Sequence, residues 1–319
     1  MLLFELHKDN LDLAQTEVLA LCNTKKGVLI DNLFLVRSRY DPILLRLAYT
    51  RQIFEVLGAA KSLDCLESFL KHVKIGSCTG SFCVRVYPAN KPLELLVAKQ
   101  IFHKCKNPRV DLDDPHNFFA LFCYKNKAIL AKRVALITNN FESRKAHYRA
   151  CLKPVSLHPK LAAAMVNLSG VRSGCVLDPC AGTGGILLEA GLMNLEITGV
   201  DVDPEMVNAC TKNLAKFGVA ARVLHQDALL LQGSFPVVVS DLPYGRNTKD
   251  QDVSAFFYAM LKMLRRWKTK IAVFGLPSFV NVNLIAKKAG VIVSNEFVIY
   301  IHKSLSKKIV VIKKGERHF

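Results

Sequence analysis

The sequence predicts an α/β protein with a mixed α+β first half and a Rossmann-like, doubly wound parallel sheet in its second half. From residue 158 onward, short apolar runs alternate with helical segments, which is the pattern of βαβ units. The strand-like and helical segments before residue 137 do not show this regular βα alternation. A length of 319 residues suffices for two domains with separate cores.

Apolar spacing divides the first half into two segments, residues 1–60 and 61–137. In the first segment, the spacing predicts strands at 2–6, 28–30 and 33–37 and helices at 11–21 and 42–57, and Gly58 is predicted to end the last helix. In the second, it predicts helices at 63–72 and 91–103 and strands at 81–87, 110–112, 117–124 and 128–134. Residues 138–157 lack a sustained period and are rich in polar and basic side chains, so we interpret them as a linker.

The second half, residues 158–319, begins with alternating βα segments and ends with two strand-like runs. Its predicted strands are 174–178, 197–201, 222–225, 237–240 and 271–275. The two final runs, 297–302 and 308–313, predict an antiparallel hairpin at the edge of the sheet.

The net charge of the chain is +18, and it is shared equally between the two halves. Residues 1–150 contain 23 Lys and Arg against 14 Asp and Glu, and residues 151–319 contain 21 against 12. Such a chain-wide excess favours a polyanionic partner, because Lys and Arg that neutralise phosphates release condensed counterions. A surface charge that only aids solubility is the alternative.

The cysteines and the hydropathy pattern predict a cytoplasmic protein. The ten cysteines are scattered without a CxxC motif, and several lie in apolar runs, so we expect reduced, buried thiols. The first residues lack the basic and apolar regions of a signal peptide. Apolar runs without charges stay shorter than about 18 residues, so we expect no membrane span.

A glycine-rich turn follows the first strand of the second half, in the run VLDPCAGTGGILLEAG at 176–191. Glycine lets the backbone approach a ligand closely, and the helix that follows offers free N–H donors at its N-terminus. The run lacks the Lys-Ser/Thr of a phosphate loop, and its DPxxGxG form is typical of an S-adenosylmethionine site. The residues predicted to bind this cofactor in the turn are Asp178, Cys180, Gly182 and Gly184.

Acidic residues also follow the next two strands. Asp201 ends the second strand, where it would bind the ribose hydroxyls, with Val202 beside it. The alternative, a helix N-cap, fits Asp203 better because Pro204 follows it. Asp227 and Ala228 follow the third strand, where the carboxylate would accept from the adenine amino group or simply belong to a turn.

The fourth strand ends in SDLPYG at 240–245, which is similar to the Asn/Asp-Pro-Pro-Tyr motif of methyltransferases that act on planar amino groups. The lone pair of such an amine is delocalised, so attack on a methyl group requires the nitrogen to be drawn toward tetrahedral geometry. Asp241 and the carbonyl of Leu242 would each accept one amine hydrogen, Pro243 would stiffen the turn and Tyr244 would stack on the base. Leu242 replaces the proline of the motif but keeps the carbonyl that the chemistry needs.

The whole chain resembles the tRNA guanosine-10 N2-methyltransferases. The resemblance rests on 82–86 and 110–115 in the first half and on 156–162, 165–168, 178–191 and 240–245 in the second. It implies a ferredoxin-like unit at 1–60, a THUMP domain at 61–137 and a class I methyltransferase domain at 158–319. It also implies a tRNA substrate with a flipped guanine, and a small zinc-binding activator protein that pairs with the sheet edge at Arg222–His225.

Other functions stay open at this point. An adenine-N6 or cytosine-N4 methyltransferase and a glutamine-amide protein methyltransferase share the amine motif, and a non-catalytic tRNA-binding protein could keep a degenerate domain. The nine histidines show no ligand spacing, so we expect no metal site and a structural His158. The basic linker residues could contact tRNA phosphates or form a solvated stretch: Arg144, Lys145, His147 and Arg149.

Overall fold

The computed structural model describes residues 1–151, 157–243, 250–302 and 305–313. The chain forms two compact units: one of Met1–Lys8, Lys26–Leu45 and Thr50–Thr138, the other of Asp9–Lys25, Arg46–Tyr49 and Asn139–Phe319. This division differs from the four predicted segments, because strands from 1–60 and from 61–137 lie in one unit. The four segments stay a prediction of functional domains.

The first unit contains an eight-stranded sheet in the order β2-β3-β1-β4-β8-β7-β5-β6. Its strands are β1 (Leu2–Leu6), β2 (Val28–Ile30), β3 (Leu33–Val36), β4 (Thr50–Ala60), β5 (Thr79–Tyr87), β6 (Lys106–Val110), β7 (Asn117–Tyr124) and β8 (Lys127–Leu136). Helices are numbered along the whole chain. Helix α1 (Leu11–Leu21) belongs to the second unit, and the helices of the first unit are α2 (Leu66–His72) and α3 (Lys91–Phe102). The two helices and the sheet share an apolar core around Phe82, Val97 and Phe119.

The predicted helix 42–57 is wrong. A short 3-10 helix, Pro42–Arg46, is followed by β4, which pairs with β1 on one side and β8 on the other. The spacing of the apolar residues in this segment fits a helix or a strand. The backbone hydrogen bonds that a central strand forms with both neighbours stabilise the strand instead. Gly58 ends no helix: it lies at a register shift in β4, where any Cβ would meet the ring of Phe69.

The expectation that all cysteines are reduced is also wrong, because Cys78 and Cys105 form a disulfide. Cys78 precedes β5 and Cys105 follows α3, and the backbone N–H of Lys106 donates to the carbonyl of Cys78. The two cysteines are thus held together where β5 and β6 begin. The positions of the cysteines in the sequence do not predict this disulfide, because 27 residues separate Cys78 from Cys105.

The second unit contains a seven-stranded sheet in the order β11-β10-β9-β12-β13-β15-β14. Its strands are β9 (Cys175–Asp178), β10 (Glu196–Asp201), β11 (Arg222–His225), β12 (Val237–Asp241), β13 (Ile271–Pro277), β14 (Ile292–His302) and β15 (Leu305–Lys313). Its helices are α1, α4 (Pro159–Leu168), α5 (Gly185–Leu192), α6 (Pro204–Lys216), α7 (Asp250–Arg266) and α8 (Val282–Ala289). Strands β9 to β13 are parallel, and β14 and β15 form an antiparallel pair, so the Rossmann-like sheet and the final hairpin are confirmed.

The hairpin differs from the prediction in one respect: only β14 lies at the edge, and β15 is inserted between β13 and β14. The run Ile309–Val310–Val311–Ile312 is buried on both faces of the sheet. A strand that is apolar on both faces suits the interior of a sheet covered by helices. The first residues of β15 are therefore brought close to the ends of the parallel strands.

Local sequence explains where the helices of the second unit begin. Asp203 accepts from the backbone N–H of Glu205 and caps α6, as its position before Pro204 predicted. Asn10 and Asn281 cap α1 and α8 in the same way. None of the helices in the described ranges is long and apolar enough to cross a membrane.

Candidate active site

The predicted site residues lie after the carboxyl ends of the parallel strands. Asp178, Asp201 and Asp241 are the last residues of β9, β10 and β12. Strand β9 has β10 on one side and β12 on the other, so the strand order reverses there. Doubly wound sheets bind ligands in the crevice outside such a reversal.

Asp178 is buried and has two hydrogen-bond donors. The hydroxyl of Ser240 donates to its Oδ1 at 2.6 Å, and the backbone N–H of Cys180 donates at 3.2 Å. Burial raises its pKa to about 7, and the nearby charges of Asp241 and Asp201 act in the same direction. Asp178 therefore changes charge near neutral pH.

The glycine-rich turn is held by Asp201. The backbone N–H groups of Gly182 and Asp203 donate to its two carboxylate oxygens at 2.8 and 3.0 Å. Gly182 (φ +51°) and Gly184 (φ +83°) both have left-handed backbones. A Cβ added at Gly182 would contact no other atom, so this glycine borders open space. A Cβ added at Gly184 would clash with the Sγ of Cys210, so this glycine packs against α6.

The residues predicted to contact the adenosine differ in exposure. Val202 is 71% exposed and offers an apolar surface beside Asp201. Asp227 is exposed but also caps a short 3-10 helix by accepting from the N–H of Leu229 at 2.8 Å, so its position fits the turn interpretation as well as a ligand contact. Ala228 is buried, which leaves only its backbone for a ligand.

Asp241 and Leu242 point in different directions. The Asp241 side chain is 20% exposed, whereas that of Leu242 packs in the apolar core with 1% exposure. The backbone N–H of Leu242 donates to the carbonyl of Gly275 at 3.0 Å, which fixes the turn in the absence of the proline. Pro243 is exposed, and Tyr244 lies outside the described residues.

Sequence reasoning missed two residues and one hydrogen bond around Asp241. The Nζ of Lys307, in β15, lies 2.5 Å from both Asp241 oxygens. Ser240 was part of the motif, but its bond to Asp178 was not expected. Gly275 leaves the space that the Asp241 side chain occupies. The alternation of β15 carried a weak signal, since it places Lys307 on the same face as Ile309, which pairs with Gly275.

Two of the four basic linker residues are not free to meet a phosphate. Arg149 is 5% exposed, with its guanidinium beside Gly185 and its Nε donating to the carbonyl of Arg144. Arg144 is ion-paired with the buried carboxylate of Glu189 at 2.8 Å. His147 is exposed, so it keeps the solvated position expected of a linker residue.

The site fits S-adenosylmethionine on three points. The open space at Gly182 admits a ligand close to the backbone, and the exposed side chain of Val202 suits a flat apolar group. The ionised carboxylate of Asp178 suits a sulfonium cation, and that of Asp201 suits the ribose hydroxyls. These residues would hold the cofactor, which supplies the methyl group when bound.

Cofactor affinity is expected to depend on pH through Asp178. Its carboxylate is protonated below about pH 7 and ionised above it, and only the ionised form attracts a sulfonium cation. Between pH 6 and 8 we therefore expect the affinity of the wild type for S-adenosylmethionine to rise about tenfold relative to that of Asp178→Asn. Calorimetry measures the Kd of S-adenosylmethionine for both proteins at each pH. The ratio of the two Kd values removes the contribution of the cofactor's own titration, which is the same for both. Parallel pH profiles would contradict this assignment.

The strand order, the glycine-rich turn and the strand-end carboxylates together define a class I S-adenosylmethionine-dependent methyltransferase domain. Residues 146–289 match the family model described as UPF0020, RMKL-like, methyltransferase domain. A probable tRNA (guanine(10)-N2)-dimethyltransferase of Methanothermococcus thermolithotrophicus is 33% identical over 170 residues, which are 49% of this chain and 99% of that protein. The chain therefore belongs to the family that includes the tRNA (guanine(10)-N2)-dimethyltransferases.

Two relatives show the extent of the similarity. A tRNA (guanine(10)-N2)-dimethyltransferase of Methanothermobacter thermautotrophicus is 36% identical over 220 residues, which are 66% of this chain and 65% of that protein. The protein of the same name from Pyrococcus abyssi is 28% identical over 321 residues, covering 95% of this chain and 96% of that protein. This chain thus spans slightly less than two thirds of the first relative and nearly all of the second.

Among solved structures, TrmN from Thermus thermophilus covers 98% of this chain and 99% of its own, with 18% identity and a TM-score of 0.47.

Proposed function

We propose that the protein transfers a methyl group from S-adenosylmethionine to the exocyclic N2 of guanosine 10 in tRNA. The observation that carries this proposal is the carboxylate of Asp241, partly exposed at the end of β12 and next to the buried Asp178. The names of the two relatives support the target base, and the charge of +18 supports a nucleic-acid substrate.

In the proposed reaction, the residues of this chain act on the amine of a flipped guanine. Asp241 accepts one amine hydrogen and the carbonyl of Leu242 accepts the other, which turns the nitrogen lone pair toward the methyl group. As the methyl carbon bonds to nitrogen and its bond to the sulfonium sulfur breaks, the Asp241 carboxylate stabilises the positive charge that develops on nitrogen, and the methylated amine then loses one proton. Pro243 stiffens the turn, and Tyr244, which lies outside the described residues, is assigned to stacking on the base.

The roles of the first unit and of a partner also belong to this proposal. We infer that the strands and helices of residues 61–137 act as the THUMP domain and bind the tRNA. A small zinc-binding activator pairs with β11, which lies at one edge of the sheet with Arg222 and His225 exposed. Edge strands offer backbone groups for such strand addition. A tRNA substrate also favours the cytoplasmic location that the sequence predicts.

The test is transfer of a labelled methyl group to a tRNA transcript with and without a candidate activator. The matched control is the same tRNA carrying inosine at position 10, which keeps the purine but lacks the 2-amino group. We expect labelling of the guanosine tRNA only, and mass spectrometry of the product shows whether one or two methyls are added. Equal labelling of the inosine tRNA would overturn the position, and tRNA binding without S-adenosylmethionine binding in calorimetry would indicate a non-catalytic tRNA-binding protein.

A further inference from the structure

Lys307 is a buried cation in direct contact with the proposed reaction centre. It lies near the start of β15, opposite Pro277 of β13 and Ile299 of β14, and the residue is 4% exposed. Its Nζ lies 2.5 Å from both Oδ1 and Oδ2 of Asp241. Removal of an ammonium group from water is costly unless an opposite charge compensates it, and Asp241 supplies that charge.

The sheet is built so that the two side chains can meet. Asp241 pairs with Gly275 in β13, and Gly275 pairs with Ile309 in β15, two residues beyond Lys307. A Cβ at Gly275 would overlap Oδ1 of Asp241. The carboxylate therefore occupies the space above the glycine, between its own strand and β15, and Lys307 reaches it from the far side.

The contact leaves part of the carboxylate available. A carboxylate has about four lone-pair positions, of which one ammonium contact to each oxygen occupies two. The Asp241 side chain is 20% exposed, whereas that of Lys307 is 6% exposed. The lysine thus contacts the carboxylate from within the sheet, and the exposed fraction of the Asp241 side chain stays accessible to a ligand.

We propose that Lys307 is a positioning residue for methyl transfer: it holds the Asp241 carboxylate in one orientation and balances its charge, so that the open oxygen positions face the incoming amine. The charges of Asp241 and Asp201 both raise the pKa of the neighbouring Asp178, and an Asp241 carboxylate without Lys307 would repel that group more strongly. The inference rests on the proposed function, because it concerns the same reaction centre. Lys307 contacts Asp241 and not the substrate.

The test compares Lys307→Met with Lys308→Met. Lys308 is the next residue of β15 and also forms a partly buried ion pair, with Glu296 at 3.1 Å, but it lies away from Asp241. We expect Lys307→Met to lower kcat for tRNA methylation by about 10- to 100-fold with little change in the Kd of the cofactor or the KM of the tRNA, because displacement of a catalytic group by about 1 Å costs this much. Lys308→Met is expected to keep the wild-type kcat. A wild-type kcat in Lys307→Met would overturn the proposal.

Two further variants separate positioning from a general structural role. In an Asp241→Asn background, Lys307→Met is expected to cause no further loss of kcat, since its effect passes through the carboxylate. Gly275→Ala leaves Lys307 in place but displaces the carboxylate, and it is expected to lower kcat as Lys307→Met does. If Lys307→Met lowers kcat equally in the wild-type and Asp241→Asn backgrounds, the lysine does not act through the Asp241 carboxylate, and the proposal is overturned.

Failure of the proposed function has a different signature. If the wild type labels no tRNA, the substrate assignment fails, and thermal unfolding of the wild type, Asp241→Asn, Lys307→Met and the double variant then decides the pairing. Losses in Tm that are smaller in the double variant than the sum of the single ones support it, because the two side chains stabilise one another only as a pair. Additive losses would overturn it.

Discussion

Replacing Asp241 with Ala is expected to lower the kcat of methyl transfer by about 100- to 1000-fold, the usual cost of removing one group that stabilises charge in a transition state. The carboxylate accepts the amine hydrogen and faces the positive charge that develops on nitrogen, so its loss affects the chemical step. Binding of S-adenosylmethionine is expected to stay within roughly threefold of the wild type, because the turn at Gly182 is held by Asp201. Single-turnover transfer and calorimetry measure the two quantities separately.

The matched control is Asp203→Ala. Asp203 is also a carboxylate near the end of β10, but it caps α6, so its loss is expected to cost about 1 kcal/mol of stability and little kcat. Because Asp241→Ala leaves the buried Lys307 without its carboxylate, the double variant Asp241→Ala/Lys307→Met is a second control that restores stability without restoring activity. Normal turnover by Asp241→Ala would show that the reaction centre lies elsewhere.

The parallel strands and their terminal residues were predictable from the sequence, because periodicity is local. Short apolar runs that alternate with helices mark βαβ units, and the carboxyl ends of parallel strands necessarily meet at one edge. Asp178, Asp201 and Asp241 could therefore be placed together without coordinates. Their roles toward cofactor and base stay predictions.

What sequence reasoning missed depends on contacts between distant segments. The apolar residues Ile53, Phe54 and Leu57 fit a helix as well as a strand, and only the neighbours β1 and β8 decide in favour of β4. Lys307 is 66 residues from Asp241, and its place in the site follows from the insertion of β15 beside β13. The alternation of β15 indicates the face on which Lys307 lies, but it does not identify Asp241 as its partner.

Glu17 is another buried charge that the sequence did not reveal, and it leads to the largest stability effect that we expect. It lies in α1 with 0% exposure and accepts from the backbone N–H groups of Ala48 and Tyr49 at 2.7 and 3.0 Å and from the side chain of Asn167 at 2.7 Å. One carboxylate thus joins α1, the 46–49 segment and α4 within the second unit. These partners lie 31, 32 and 150 residues away along the chain.

Glu17→Ala is expected to lower the free energy of unfolding by about 3–5 kcal/mol, because it leaves three buried donors without an acceptor. Urea unfolding followed by circular dichroism measures the loss. Asp12→Ala, which removes an exposed carboxylate from the same helix, is the control and is expected to change stability by less than about 0.5 kcal/mol. Similar losses in the two variants would show that the buried carboxylate does not tie these segments together.

The same carboxylate predicts a pH dependence of stability. Burial raises the pKa of Glu17, although the hydrogen bonds from Ala48, Asn167 and Tyr49 oppose the shift. A raised pKa means that the folded state binds the proton more tightly than the unfolded state. The resulting stabilisation is fully present below the ordinary carboxyl pKa and is lost as the pH rises through the raised value. Glu17→Gln removes the titration, so its stability is expected to fall less than that of the wild type over this range in unfolding experiments at successive pH values, and identical pH profiles would contradict the assignment.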